Sequence, residues 1–475
     1  MAAICERLRQ DPAVFADAWY DELDELSHEA LERIQTDVIR KRFHELRHRV
    51  AVLERLASQS GIKAIERLED VVPLLFPHTV FKSYSTAWIE NGQFDRLTRW
   101  LGGLTALDLS VVDCSGLDGI DAWIDRLDES TDLRVVHTFG TSGKLSFIPQ
   151  TRAGWDVGGR IVANCIRDWH GRGRGPDLLK ARLPFIYPGY RTGAGAIQRG
   201  VRSAVKLYAG GDENCLFLYP DVRFSADVAS LAGRLRAAEI CGRSEDLVLT
   251  PRLHEKYREF AARELTRARD LGDFLNEMIR TYRGRDVYLL GVWPVLHDWA
   301  QAGLKAHLRG VFGPGTVLHT GGGMKGRALK AGWQDEIFEF LGVSRYFEFY
   351  AMSELTAGCP RCPAGNYHVP PVTVPMVLDP QTGALLPRSG RVRGRFAAFD
   401  LLPEHSWGGV VSGDEVTLAG ADESCACGRR GFHIEPDIRR YSVGEGGTDK
   451  ISCAGAQDAY ESAVRYLSAL AETAP

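Results

Sequence analysis

Three kinds of hydrophobic pattern follow one another along the chain. Over residues 10–60, large apolar residues recur every three or four positions between charged ones, which is the period of an amphipathic α-helix. From about residue 105, short β-rich runs such as 286–293 and 315–322 alternate with helical stretches such as 256–282. After residue 370 the pattern consists of short strands separated by turn residues, and a last helix is predicted over 456–472. We therefore expect a helical N-terminal segment, an α/β region and a small β lobe.

Composition and net charge indicate which class of protein to expect. The 475 residues are 44% hydrophobic and 25% charged, which is typical of a globular protein. With 58 Lys and Arg against 62 Asp and Glu, the net charge of -4 gives no electrostatic reason to expect nucleic acid or an anionic membrane as a partner. No apolar run approaches a membrane span, and the first residues are charged where a signal peptide would be apolar. We expect a soluble, cytoplasmic protein.

The cysteines are unevenly placed. Ten over this length are too few for a disulfide scaffold. Half of them are scattered singly and are predicted to be small buried hydrophobic residues: Cys5, Cys114, Cys165, Cys215 and Cys241. The other half crowd into the last quarter of the chain: Cys359, Cys362, Cys425, Cys427 and Cys453.

A glycine- and hydroxyl-rich turn over 138–144 directly follows the predicted strand 133–137. Such a turn lets backbone N–H groups approach an anion closely, and its Thr and Ser side chains add donors. The spacing is not that of the G-x-x-x-x-G-K-[ST] phosphate loop. Alone, the turn is equally well explained as an ordinary strand exit.

Together with later motifs, this turn resembles the phosphate-binding loop of the acyl-adenylate-forming (ANL) superfamily, roughly [ST]-[ST]-G-[ST]-[ST]-G-x-P-K. The matching positions are Thr138, Gly140, Thr141, Ser142 and Gly143. Phe139, Leu145 and Ser146 depart from the pattern, and the loss of its final Lys also occurs in the phenylacetate-ligase branch.

Four further segments appear in the order of that superfamily. The first, 319–325, resembles the segment that lines the adenine, which implies nucleotide contacts from Gly321, Gly322 and Gly323. The next, 350–354, resembles Y-G-x-[ST]-E: the ring of Tyr350 would flank the adenine, Ser353 would face the α-phosphate and Glu354 would hold Mg²⁺. Asp414, in Ser-Gly-Asp, would accept hydrogen bonds from the ribose, and Arg440 belongs to the hinge-like segment that ends at 450.

Two features point to a branch of the superfamily. The segment 77–82 resembles the L-P-x-x-L-F-K of the LuxE-type fatty acid–protein ligases of bacterial luminescence systems, and so does the triple glycine followed by Lys325. Phenylacetate–CoA ligases are the neighbouring branch. The resemblance covers about 70–455.

The resemblance implies the fold class and the domain boundaries. We expect an α/β adenylate-forming domain of α/β subdomains plus a small β-barrel lobe over 71–440. A helical segment over 1–70 precedes it, and a short remnant of the C-terminal domain over 441–475 follows it. Only 25 residues follow Lys450, none of them Lys, whereas CoA ligases supply their catalytic lysine from a longer C-terminal domain. Lys325 and Lys450 are then the candidates for the α-phosphate, with Lys82 after them.

The late cysteines predict a zinc site. The pairs C-x₂-C at 359–362 and C-x-C at 425–427 give a set of four thiolates suited to tetrahedral Zn²⁺: Cys359, Cys362, Cys425 and Cys427. Some proteins that resemble phenylacetate ligases use a histidine there, so His368 is an alternative to Cys359. With no open coordination position, we predict a structural role.

Cys453 suggests how the acyl group leaves the adenylate. It lies near the C-terminus, as does the cysteine that the luminescence ligases acylate, and Lys450 could lower its pKa. A buried structural cysteine is equally compatible with its position.

The sequence thus predicts an ATP-dependent ligase that converts a carboxylic acid, expected to be fatty, to acyl-AMP. It would then pass the acyl group to a thiol on a carrier protein, a partner reductase or itself. One alternative is an aryl- or acyl-CoA ligase of the phenylacetate type, which would use CoA. A second is an inactive, zinc-stabilised nucleotide-binding protein.

Overall fold

The computed structural model describes residues 2–17, 26–138, 144–169, 175–240, 250–321 and 330–441. The α-helices, in chain order, are α1 Ala2–Gln10, α2 His28–Leu46, α3 Ala51–Ser60, α4 Thr86–Glu90, α5 Phe94–Gly102, α6 Ile120–Ser130, α7 Arg152–Trp169, α8 Leu178–Ala181, α9 Ala196–Ala204, α10 Ala226–Ile240, α11 Pro251–Tyr282, α12 Trp293–Lys305 and α13 Trp333–Leu341. Short 3₁₀-helices include Leu68–Leu74 and His78–Lys82. Among the described helices, none has the length and apolarity that crossing a bilayer requires.

The strands are short except in two sheets. They are β1 Phe76–Pro77, β2 Val136–Thr138, β3 Ser146–Ile148, β4 Phe185–Gly193, β5 Cys215–Phe224, β6 Tyr288–Leu290, β7 Val317–His319, β8 Phe349–Tyr350, β9 Cys359–Pro360, β10 Tyr367–His368, β11 Thr373–Leu378, β12 Arg391–Asp400, β13 Gly409–Ala419, β14 His433–Ile434 and β15 Arg439–Arg440. The chain is α/β, as predicted, and the N-terminal helices and the strands after 370 are present. The predicted last helix lies outside the described residues.

The chain forms two compact units that alternate along the sequence. The first unit comprises Met1–Val136, Ser146–Gly175 and Phe349–Lys450, and the second comprises His137–Leu145, Pro176–Glu348 and Ile451–Pro475. The predicted N-terminal segment therefore belongs to the first unit together with the strands after 370.

A seven-stranded sheet organises the first unit. Its main order is β10-β14-β13-β12-β11, and β1 and β15 also pair with the long strand β13. Helix α2 packs on this sheet, where Trp407 is fully buried between Phe399 and Phe43. The helix begins at His28 because Ser27 caps its N-terminus by accepting a hydrogen bond from the N–H of Ala30 at 3.2 Å.

A four-stranded parallel sheet, ordered β5-β4-β6-β7, organises the second unit. Helices α11 and α12 cover it with a large apolar core, in which the rings of Phe274 and Trp299 stack at 5.7 Å. Thr250 caps α11 and Pro251 occupies its first turn, the arrangement expected for a strong helix start. The β-rich runs 286–293 and 315–322 of the sequence thus contain two adjacent strands of this parallel sheet, β6 and β7.

Candidate active site

The turn 353–356, which follows β8, is held from two sides. Gln150 donates a side-chain hydrogen bond to the carbonyl of Ser353 at 3.2 Å, and Asp400 accepts one from the N–H of Thr356 at 2.6 Å. The Ser353 hydroxyl is buried and has no hydrogen-bond partner among the described residues. Glu354 lies between these two anchored positions, so the turn presents a hydroxyl and a carboxylate on a fixed backbone.

The electrostatic environment of Glu354 is mixed. Burial raises the pKa of its carboxyl, and the negative charge of Asp414 acts in the same direction. The positive charges of Arg440 and Lys82 act in the opposite direction. A buried carboxylate whose charge is only partly compensated by nearby cations is suited to binding a further cation.

Asp414 lies at the centre of a hydrogen-bond network on β13. Its Oδ2 accepts from the Tyr350 hydroxyl at 2.8 Å, and its Oδ1 forms an ion pair with Arg440. The Ser412 hydroxyl accepts a hydrogen bond from the N–H of Asp414 at 3.1 Å and donates one to the carbonyl of Phe396. The side chains predicted to contact base and ribose are therefore joined by a direct hydrogen bond.

Arg440 reaches Asp414 because of strand register. In the antiparallel pair of β13 and β15, Asp414 lies opposite Arg440 and Glu415 lies opposite Arg439. A Cβ at position 413 would come within 3.1 Å of Arg440 Nε, so any residue other than glycine would displace that side chain by a few tenths of an ångström. The Ser-Gly-Asp motif thus has a steric reason for its glycine.

The carboxylate of Glu415, the residue after Asp414, holds β15 in place and is not itself part of the predicted site. Glu415 pairs with Arg439 and with Arg393, whose Nε donates to it at 2.9 Å, and Tyr441 donates a further hydrogen bond at 3.2 Å. The hydrogen bond from Arg439, followed by those of Arg393, lowers the pKa of Glu415 to about 2. Its negative charge anchors the strand that carries Arg440.

The segment 78–82 enters the same region through β1. Phe76 and Pro77 pair in parallel with Val410 and Val411 of β13, which places the following 3₁₀ turn beside the Ser-Gly-Asp motif. Lys82 is only 8% exposed there. Burial, then Arg440 and Lys82, lower the pKa of His78 to about 4, so its imidazole is neutral at physiological pH.

Other residues predicted for the site belong to the second unit, and the structure describes only some of them. Thr138 is buried at the end of β2, and Gly321 follows Thr320, whose buried hydroxyl has no hydrogen-bond partner among the described residues. Tyr288 and His319 Nδ1 are hydrogen-bonded at 2.5 Å. The remaining predicted site residues lie outside the described residues: Gly140, Thr141, Ser142, Gly143, Gly322, Gly323, Lys325, Lys450 and Cys453.

A second cluster consists of possible metal ligands from the loop after β9, from β10 and from the loop after β13. The ligand atoms of Cys362, His368, Cys425 and Cys427 all lie within 4.8 Å of one another. Cys362 and Cys425 are 3.7 Å apart between their sulfurs, and His368 Nε2 is 3.3 Å from the Cys427 sulfur. Tetrahedral Zn²⁺ with Zn–S bonds of about 2.3 Å separates two sulfurs by roughly 3.8 Å, so the donor set fits this ion.

Cys359 lies outside this group, contrary to the first choice from the sequence, and His368 takes its place. The reason is strand pairing: in the β8–β9 pair Cys359 lies opposite Tyr350, where it is fully buried. Burial, followed by the charge of Arg429 and then that of His433, lowers the pKa of His368 to about 3, which keeps its imidazole in the neutral form that a metal requires.

The cluster is tied to its surroundings by polar contacts. Asn366 donates to the Cys425 sulfur at 3.4 Å, and Arg429 donates to the carbonyl of Asp168 at the end of α7. Both loops and α7 belong to the first unit. A metal here would cross-link two segments of one unit, one of which begins just after Glu354.

Two residues that support the site have no motif in the sequence. Gln150 and Asp400 are buried polar residues that hold the turn around Glu354, but neither lies in a segment that resembles the superfamily. Only the register of β12 and the path of the chain after β3 bring them to that turn. His368 was identified, as the second choice for the metal site.

No protein-family model matches the chain, and no curated protein sequence matches it. Solved structures do match. The 2-hydroxyisobutyryl-CoA ligase in complex with 2-HIB-AMP and CoA aligns with 89% of this chain and 71% of its own, at 13% identity and a TM-score of 0.50.

This chain shares the fold of that ligase. Less similar structures include ATP-bound MatB from Rhodopseudomonas palustris, at 14% identity and a TM-score of 0.34 over 67% of this chain and 52% of its own. Another is the luciferase-like enzyme of the nonluminescent mealworm Zophobas morio, at 11% identity and 0.35 over 64% and 56%.

Proposed function

We propose that this protein is an AMP-forming acid–thiol ligase. The observation that supports this most directly is the network of Tyr350, Asp414 and Arg440 in the first unit, with Glu354 close enough for the charges of Arg440 and Asp414 to act on its carboxyl. These residues come from three separate segments of the sequence: two of them resemble nucleotide-binding motifs of the ANL superfamily, and the third resembles its hinge. The similarity of fold to a solved CoA ligase supports the same conclusion.

In the first step, a carboxylate oxygen of the acid attacks the α-phosphorus of ATP. The bond to the pyrophosphate oxygen breaks, and acyl-AMP and pyrophosphate are formed. Tyr350 and the segment 321–323 would contact the adenine and Asp414 the ribose, while Ser353 would donate to the α-phosphate and the turn 138–144 would bind the other phosphates. Catalysis is then mainly positioning and charge stabilisation.

Glu354 is the residue that would hold Mg²⁺. The fit rests on its partly desolvated carboxylate, which lacks full compensation by nearby cations. The ion would neutralise charge on the phosphates, as is general for nucleotide-bound Mg²⁺. The protein's own part is to hold the backbone on either side of Glu354, at Ser353 and Thr356, in a fixed position.

A lysine is expected at the α-phosphate, and the sequence offers three candidates for this role. Of these, Lys82 lies among the described residues and its charge acts on Glu354. Lys82 is buried beside the Ser-Gly-Asp motif, whereas an ordinary surface lysine would extend into solvent. Lys325 and Lys450 remain candidates.

In the second step, a thiolate attacks the acyl carbonyl of acyl-AMP and AMP leaves, giving a thioester. We propose a protein thiol as the acceptor, on a carrier protein, a reductase or Cys453, and a fatty acid as the substrate, as in the LuxE-type ligases. CoA is the alternative acceptor, supported by the CoA bound to the solved ligase of similar fold. The Cys₃His cluster would hold a structural Zn²⁺.

The test is acid-dependent ATP–pyrophosphate exchange with a panel of fatty and aryl acids. Glu354→Ala should abolish the exchange, and Glu66→Ala, which removes an exposed carboxylate, should leave it unchanged. No exchange with any acid in the wild-type protein would contradict the proposed activity.

The acceptor is tested separately with a labelled acid. Cys453→Ala should prevent labelling of the chain without reducing exchange if Cys453 is the first acceptor. Formation of acyl-CoA at a rate that matches exchange would instead support the CoA ligase.

A further inference from the structure

The loop between β12 and β13 links the N-terminal helices to the turn that carries Glu354. Asp400, the last residue of β12, is fully buried. Its Oδ2 accepts a hydrogen bond from the N–H of Thr356 at 2.6 Å and its Oδ1 accepts one from the N–H of Leu402 at 2.9 Å. One carboxylate therefore fixes both the start of its own loop and a backbone position two residues after Glu354.

Arg42 of α2 holds that loop from the other side. Arg42 is 5% exposed, and its guanidinium donates to the carbonyl of Leu401 at 2.9 Å and to that of Pro403. Among charged side chains, Asp400 exerts the strongest effect on Arg42. Burial raises the pKa of Asp400, and the hydrogen bonds from Thr356 and Leu402, followed by the charge of Arg42, counteract that rise. These contacts favour the charged form of a buried carboxyl at the position where Thr356 needs an acceptor.

We propose that Asp400 is a positioning residue for Glu354, held in place by Arg42 of the N-terminal helix. The inference rests on the proposed function, since Glu354 matters as the metal-binding carboxylate. No motif assigns a role to Asp400 or to Arg42. The chain of contacts runs from Arg42 through the loop 400–403 to Thr356, and from there along two peptide units to Glu354.

The arrangement predicts a specific defect. Residues that orient a metal-binding carboxylate affect metal affinity more than they affect distant parts of the substrate. In Asp400→Asn the side-chain amide nitrogen cannot accept a hydrogen bond, so one of the two backbone N–H groups loses its acceptor and the charge opposite Arg42 is lost. The turn should then hold Glu354 less precisely.

The experiment compares purified wild type and Asp400→Asn. The Mg²⁺ concentration for half-maximal exchange should rise about tenfold, with KM for the acid unchanged. A second readout needs no turnover: Mn²⁺ binding with ATP, followed by electron paramagnetic resonance, should weaken by a similar factor. Asp227→Asn, which removes a buried carboxylate 2.6 Å from Lys256 in the second unit, should lower stability without moving either value.

A folded Asp400→Asn protein with wild-type Mg²⁺ and Mn²⁺ dependence would overturn the inference. If that variant does not fold, Arg42→Lys decides instead. It keeps the charge but cannot bridge both carbonyls, so a shift of the same kind supports the inference and unchanged values overturn it. A wild-type protein without exchange contradicts the proposed function alone, because Mn²⁺ binding with ATP still reports on Asp400.

Discussion

The first unit contains two polar clusters, one around Asp414 and one formed by the Cys₃His group, and they differ in how their polar groups are paired. Around Asp414, nearly every charged group has an internal partner: Tyr350 and Arg440 bind its two oxygens, and Glu415 is bound by two arginines. In the Cys₃His group, three thiols and an imidazole face one another, and polar neighbours supply few hydrogen bonds. The groups around Asp414 are thus paired before any ligand binds, whereas the Cys₃His group has the donor set of a cation site.

This contrast has an energetic meaning. Hydrogen bonds and ion pairs that exist before the nucleotide binds reduce the ordering that binding requires. Thiols within ligand distance gain their stability from a metal, and binding free energy at such a site adds to folding free energy. The two clusters should therefore respond differently to mutation and to chelation.

The largest effect is expected from metal removal. Purified protein should contain about one zinc per chain, and a strong chelator or Cys362→Ser should lower the free energy of unfolding by several kcal/mol. Metal analysis and thermal denaturation measure both quantities. Cys359→Ser is the matched control, because it removes an equally buried thiol outside the group and should leave the zinc content unchanged. Zinc loss in the Cys359 variant alone would contradict the assigned ligands.

Asp414→Asn should have the next largest effect. We expect kcat/KM for ATP to fall by about 10²-fold in the exchange assay, since a charged hydrogen-bond acceptor for the ribose is lost. Glu415→Gln changes the adjacent carboxylate on the same strand, and we expect it to lower stability while costing less than tenfold in kcat/KM. Equal losses in the two variants would mean that the strand, rather than Asp414, determines nucleotide binding.

The third prediction concerns pH. The pKa of His78 is about 4 in the folded protein and about 6.5 in the unfolded chain. Between these values the unfolded state binds the extra proton, so stability falls as pH decreases from about 6.5 to 4. The loss attributable to His78 approaches about 3 kcal/mol at the acid end. Denaturant unfolding at several pH values should show a shallower dependence in His78→Gln, and an unchanged slope would contradict this.

The sequence predicted the parts of the fold and site that depend on local pattern. The α/β class, the helices α2 and α11 and the strands around 288 and 317 follow from periodicity. Asp414, Tyr350 and Arg440 were found because they lie in short motifs, and the structure joins them directly. The predicted domain boundaries remain a prediction.

What sequence reasoning missed depends on contacts between distant segments. Arg42 meets the loop after Asp400 across more than 350 residues, and no local pattern distinguishes either residue from other charged ones. The cluster contains His368 and not Cys359 because of strand pairing, since β9 places Cys359 opposite Tyr350. Spacing alone favours the four cysteines, and only the register excludes one of them.

The smallest effect is expected from Tyr350→Phe. The variant keeps the ring that would flank the adenine, next to Phe396 at 5.7 Å, and removes only the hydroxyl that binds Asp414. Asp414 would keep Arg440 but lose a neutral donor, which corresponds to about 1 kcal/mol. KM for ATP should therefore rise by about fivefold with KM for the acid unchanged. A loss as large as that in Asp414→Asn would show that this hydroxyl, rather than Arg440, sets the direction of the carboxylate, and the preorganisation described above would then rest on a single hydrogen bond.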